Sequence, residues 1–142
     1  MNRLPLFILI LGLFSCNLDG NETSPSTNIS VAELTEDLVQ NSGLRVVQFI
    51  EDGVDETSDY TGFIFNFSTD GRVTATRNDQ VVSGTYRVFR DDGETELAMI
   101  FPANSVLNEF TDDWYFRGKT NNRITFEDDD PDDDLDRIVF EY

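Results

Sequence analysis

Histidine is absent from the 142-residue chain, and cysteine occurs once. Without histidine no Ser-His-Asp or Cys-His nucleophile can be assembled, and the usual zinc sites, which draw on Cys and His ligands, fall with it. Basic residues are scarce: 10 Lys and Arg stand against 28 Asp and Glu, a formal net charge of -18. Nucleic acid is a poor partner for such a surface, because neutralising phosphates requires clustered Lys and Arg. No GxxxxGK[ST] and no GxGxxG after a strand is present, so phosphate-cradling loops have no support. A pair of carboxylates could hydrolyse a glycoside, but among so many acidic residues finding a pair means nothing. The residues therefore read as a non-enzyme with no cofactor. A long hydrophobic run is missing too. The most apolar stretch, Leu4 to Phe14, includes Pro5 and Gly12 and falls short of the about 20 residues that span a bilayer.

That stretch sits behind Arg3 and ahead of the polar "NLDGNETSPSTN", the layout of a secretory signal. Its end, "LFSC" from Leu13 to Cys16, resembles the lipobox of bacterial lipoprotein precursors: an aliphatic residue three before the cut, a small one just before it, and an obligatory cysteine. Phe14 departs from the pattern, in which smaller residues are commoner. The resemblance implies cleavage between Ser15 and Cys16, a diacylglyceryl group on the Cys16 sulfur and acylation of the new amine. The alternative is an ordinary secretory signal with a coincidental cysteine, which would leave an unexplained free thiol in an exported protein. Each buried methylene contributes about 0.8 kcal/mol, so two or three chains on one residue anchor a protein effectively permanently. Asn17 is not the aspartate that retains some lipoproteins at the inner membrane, which points the resemblance to the outer membrane. Residues 1–15 are thus expected to be the signal, 16–29 a lipidated tether and 30–142 one domain. Twelve flexible residues of tether would reach roughly 20 Å.

The domain opens on "STNISVAELTEDLVQNSG", with Asn28 or Ser30 as N-cap, Glu33 in the first turn, Val31, Leu34 and Leu38 on one face, and Gly43 as a stop. This predicts a short amphipathic helix over about 30–41. Everything after it alternates with period two between turn residues, the mark of strands. Eight are expected: "LRVVQFIE", "YTGFIFNF", "RVTATR", "VVSGTYRVF", "TELAMIFP", "DWYFRGK", "RITFE" and "DRIVFEY", with a short, helix-compatible "NSVLNEF" between the fifth and sixth. Eight short antiparallel strands must close or pack as two sheets to avoid long bare edges. The expected fold is all-β: an eight-stranded antiparallel up-and-down barrel preceded by one helix, with a two-sheet β-sandwich as the alternative.

The stretch "GFIFNFSTDGRVTATRNDQVVSGTYRV", then "LNEFTDDWYF" and the closing "DRIVFEY", resembles the small lipocalin-like, calycin-type lipoproteins of flavobacteria and their relatives. The likeness covers roughly residues 44 to 142. It implies a lipocalin-like barrel in the cell envelope, and it supplies no activity. Leu44 stands where such proteins often have tryptophan, so a barrel-end Trp plug is not implied.

The acidic run "EDDDPDDDLD" offers Asp130, Asp132, Asp133 and Asp134 as oxygen ligands for calcium. It lacks the glycine-turned spacing of a calcium loop and is split by Pro131, so a solvated loop is the preferred reading. "EDGVDETSDY" is read in the same way. The aromatic residues Phe63, Phe65, Phe67, Tyr86, Phe101 and Trp114, with Phe49, Phe116, Phe126 and Phe140, read either as core or as the lining of a pocket, since both use the same side chains. The expected function is binding of a small apolar ligand or an envelope partner by a monomeric, lipid-anchored protein. The alternative is a structural or interaction module with a packed core.

Overall fold

The computed structural model describes residues 27–128 and 134–142. Cys16, Asp130, Asp132 and Asp133 lie outside the described residues. The first element is helix α1, Val31–Gln40. Ser30 caps it: its hydroxyl accepts from the Glu33 amide at 3.2 Å, and the Glu33 carboxylate accepts from the Ser30 amide at 3.0 Å. This reciprocal box satisfies two helix-end donors that would otherwise go unpaired. Leu34 and Leu38 form the buried stripe.

Nine strands follow among the described residues: β1 Leu44–Glu51, β2 Val54–Asp55, β3 Ile64–Phe67, β4 Arg72–Arg77, β5 Gln80–Asp91, β6 Glu94–Ile100, β7 Asp112–Lys119, β8 Arg123–Glu127 and β9 Arg137–Glu141. A four-residue helix α2, Thr57–Tyr60, lies between β2 and β3, and a 3-10 turn, Asn108–Phe110, precedes β7. All sequential neighbours from β3 to β9 pair antiparallel. β1 pairs with β3 on one side and β9 on the other, which closes the ring. β2 only folds back on the end of β1, so eight strands make the barrel. The fold is the expected up-and-down barrel and not the sandwich.

Alternation puts one side chain in two inside. Phe65 and Phe67 of β3, Val73 and Ala75 of β4, Leu97 and Met99 of β6, and Trp114 and Phe116 of β7 are all buried. β1 breaks step: Leu44 and Val46 point in, and so does Phe49, three residues on. The register shift between Val46 and Gln48 supplies the odd residue, as a β-bulge does. Tight two-residue hairpins join β4 to β5 and β5 to β6. Asn78, Asp92 and Gly93 take positive φ there, at 54°, 42° and 91°, as twist-matched hairpin turns require.

Two expectations change in detail. "EDGVDETSDY" is not simply a solvated loop, since it forms β2 and α2 and ends on Tyr60, which is 4% exposed. "YTGFIFNF" becomes a strand only from Ile64, because the Phe63 amide donates to the Tyr60 carbonyl and Gly62 takes a φ of 89°. Ile29, the last residue expected in the tether, is buried, and its carbonyl accepts from the Thr95 hydroxyl at 2.7 Å.

Candidate functional site

The residues proposed to line a pocket all point into the barrel, and what they meet there is each other. Phe65 lies with ring centroids 6.4 Å from Phe63, 6.4 Å from Phe101, 5.3 Å from Phe110 and 5.3 Å from Phe140. Phe67 meets Tyr86 edge-on at 4.9 Å and Phe140 at 6.1 Å. Trp114 approaches Phe49 at 6.3 Å and donates its indole N–H to the Phe110 carbonyl at 3.1 Å. Edge-to-face and offset contacts at these separations each add about 0.5–1.5 kcal/mol beyond area burial. Rings continue from Tyr60 through Phe49, Phe110, Phe65 and Phe140 to Phe126 and Phe116. Every buried side-chain nitrogen or oxygen among the described residues has a hydrogen-bond partner.

Two members of this stack lay outside the sequence-based set. Phe110 comes from the 3-10 turn and stacks on Phe49 at 4.6 Å. Tyr60 comes from α2, and its ring meets Phe49 at 4.6 Å and Phe110 at 4.8 Å. The helix-like spacing of Leu107 and Phe110 was the available signal for the first. Nothing in the acidic run around Tyr60 marks it as a core residue.

Tyr60 closes one end of the barrel, and its surroundings are acidic. Its hydroxyl donates to Glu109. The plug is tied to β1 by the Glu56 amide donating to the Phe49 carbonyl and by the Phe49 amide donating to the Thr57 hydroxyl at 2.9 Å. Asp52 donates its amide to the Asp136 carboxylate at 2.6 Å. Glu51 stands half-buried here and its pKa is pushed up to about 7, first by burial and then by the negative charges of Asp136, Glu109, Asp52 and Glu56. Burial also raises Asp112, with Asp128, Asp113 and Asp136 adding repulsion and a hydrogen bond from the Asp113 amide opposing them. The one cation against this plug is Arg77 among the described residues that line the depression here, and its guanidinium donates to the Asp59 carbonyl while lying 4.1 Å over the Phe63 ring.

An open depression of about 460 Å³ lies between Glu56, Asp59, Tyr60, Arg77, Val106 and Glu109. Among the described residues no group of three or more His, Cys, Asp or Glu is placed to hold a metal ion. Asp134, the one described member of the suggested calcium set, is exposed and packs against Gly53. No family model matches the chain, and neither a curated protein nor a solved structure is similar to it.

Proposed function

We propose that the chain is an exported lipoprotein of the lipocalin-like kind, anchored through Cys16 at the outer membrane, whose barrel recognises an envelope partner with its outer surface. The observation that carries the surface reading is the continuous ring stack from Tyr60 to Phe116, which fills the space where an apolar ligand would sit. Surface recognition then falls to the outside of the strands and the barrel ends. The "LFSC" junction supports the anchor. A net charge of -18 supports a monomer kept soluble outside the cell by self-repulsion. The missing histidine and the commitment of Cys16 to lipid support a non-catalytic role.

Native mass spectrometry of the protein extracted from its own host tests the reading. The expected species is the lipidated polypeptide alone, beginning at Cys16. A stoichiometric small molecule that leaves on activation would overturn surface recognition in favour of a cavity opened by rotation of these rings. A Cys16→Ala chain that still carries acyl groups after metabolic labelling would overturn the anchor.

A further inference from the structure

β5 is longer than either partner's pairing with it. β4 covers residues 80–85, and β6 covers 85–91. The Tyr86 amide donates to the Gly71 carbonyl at 2.8 Å, on the β4 side. Main-chain groups of successive residues face alternate sides in a strand. Gly84, Val82 and Gln80 therefore face β4, while Thr85, Ser83 and Val81 face away from it. Thr85 meets Ile100 there. Ser83 and Val81 meet no strand among the described residues, because β6 stops at Ile100.

The stop has identifiable causes. Pro102 has no N–H to offer Ser83. Phe101 turns into the barrel, its amide donating to the Thr111 hydroxyl at 2.9 Å. Gly84 permits that turn, since a Cβ there would lie 2.5 Å from the Ile100 carbonyl oxygen and 2.8 Å from the Phe101 ring. What remains is a short row of main-chain donors and acceptors without a partner among the described residues, between two outward aliphatic side chains, Val81 at 62% and Ile100 at 61% exposure. Beside it lies an open depression of about 410 Å³ bordered by Ser83, Thr85, Ile100 and Pro102. Soluble proteins ordinarily shield such edges with charge, bulges or a covering element.

Resting on the surface-recognition reading above, we propose that the open edge of β5 at Val81–Ser83 is a strand-addition site for an extended, basic segment of a partner polypeptide. Alternating donors and acceptors along a strand are matched by another extended main chain, and the apolar depression takes one of its side chains. Charge selects which chain. A second copy brings another -18, whereas a cationic segment is attracted by the same field. The acidic connections around Glu51, Glu109 and Asp136 stand at this end of the barrel. Arg72, which borders the depression, is paired with Asp70 at 3.8 Å. The chain's own N-terminal segment enters at the far end of β6, where Ile29 is bonded to Thr95.

The probe is an acetylated octapeptide of alternating valine and lysine, titrated into the full-length, isotope-labelled chain in detergent micelles, with amide exchange read by NMR. Saturating probe is expected to slow exchange of the Val81 and Ser83 amides about tenfold or more. Ser83→Pro, tolerated because that amide does not bond β4, is expected to abolish the protection. Val81→Lys, a surface change that keeps the fold, is expected to weaken probe binding about tenfold. A control peptide with proline at every second valine is expected not to bind at the edge. Equal binding of the control, or protection confined to other amides, would overturn strand addition and leave surface recognition standing. Protection of Val81 and Ser83 without probe, lost on dilution, would overturn the basic partner in favour of a second copy.

Discussion

The two ends of the barrel do the same job by different means. At one end, three short turns and α1 close the structure, and the charges there are paired: Lys119 with Asp37 at 2.5 Å, Arg123 with Glu141 at 2.8 Å. The Tyr142 hydroxyl donates to the Thr120 carbonyl, and the Gly43 amide donates to the Asn66 side chain at 3.1 Å. At the other end lie the long connections, 52–63, 101–111 and 128–136, and a tyrosine plug set among carboxylates. The helix end is closed by complementary groups. The plug end is closed by aromatic burial against the mutual repulsion of Glu51, Asp52, Glu56, Glu109 and Asp136. A lid held by apolar contact can tolerate like charges around it, but it carries their cost.

The largest expected effect removes what the two ends share. Phe65 pairs with Leu44 at the start of β1 and touches Phe110 beneath the plug. Phe65→Ala should destabilise by about 3–5 kcal/mol, the range for a buried aromatic that leaves a cavity. Denaturant melts measure this, and amide exchange should quicken at both ends together. The exposed Arg87 makes a matched control, expected to stay within about 0.5 kcal/mol on change to alanine. If Phe65→Ala loosens only the plug end, the ends are independent and the comparison has to be redrawn.

Next in size is a change confined to the helix end. Ser30→Ala removes the capping box and should cost about 1 kcal/mol, with exchange faster in α1 and unchanged in α2.

The smallest effect sharpens the electrostatic contrast. Glu51 binds its proton more tightly folded than unfolded, since burial and the neighbouring carboxylates raise it to about 7. Its contribution is therefore fully present below the unfolded value near 4.5 and is lost as pH rises through about 7. Stability should fall from pH 5 to pH 8 by of order 1 kcal/mol, discounted because the group is only half-buried and solvent screens it. Glu51→Gln should remove most of that slope and match the parent near pH 5. A slope that survives the substitution but vanishes in Lys119→Met would place the sensitivity at the wrong end.

The contrast also marks how far the sequence could be read. α1 announces itself through Ser30, Glu33 and Gly43, and the strands through alternation that the hairpin turns reset. Inward-facing Phe63, Phe65, Phe67, Tyr86, Phe101 and Trp114 follow from the same period. The plug does not, because α2 is four residues long and its single apolar contribution, Tyr60, sits among Asp, Glu, Ser and Thr. Its burial is decided by Phe49 and Phe110, which arrive from distant parts of the chain. The bulge in β1 is equally silent, since period two gives no sign of an inserted residue until the β9 register is known. The free edge of β5 is a matter of where neighbours stop, and only the pairing of three strands reveals it.

The hydrogen bond from Thr95 to the Ile29 carbonyl has a mechanical meaning as well. Tension on the chain ahead of Thr27 enters the domain at that bond, at the start of β6, and at the first turn of α1. β1 itself is gripped by β9 along most of its length. A pull from that side therefore loads the start of β6 and α1 before the β1–β9 pair, and because Leu34 and Leu38 of α1 belong to the core, a helix that yields opens the end of the barrel that it closes.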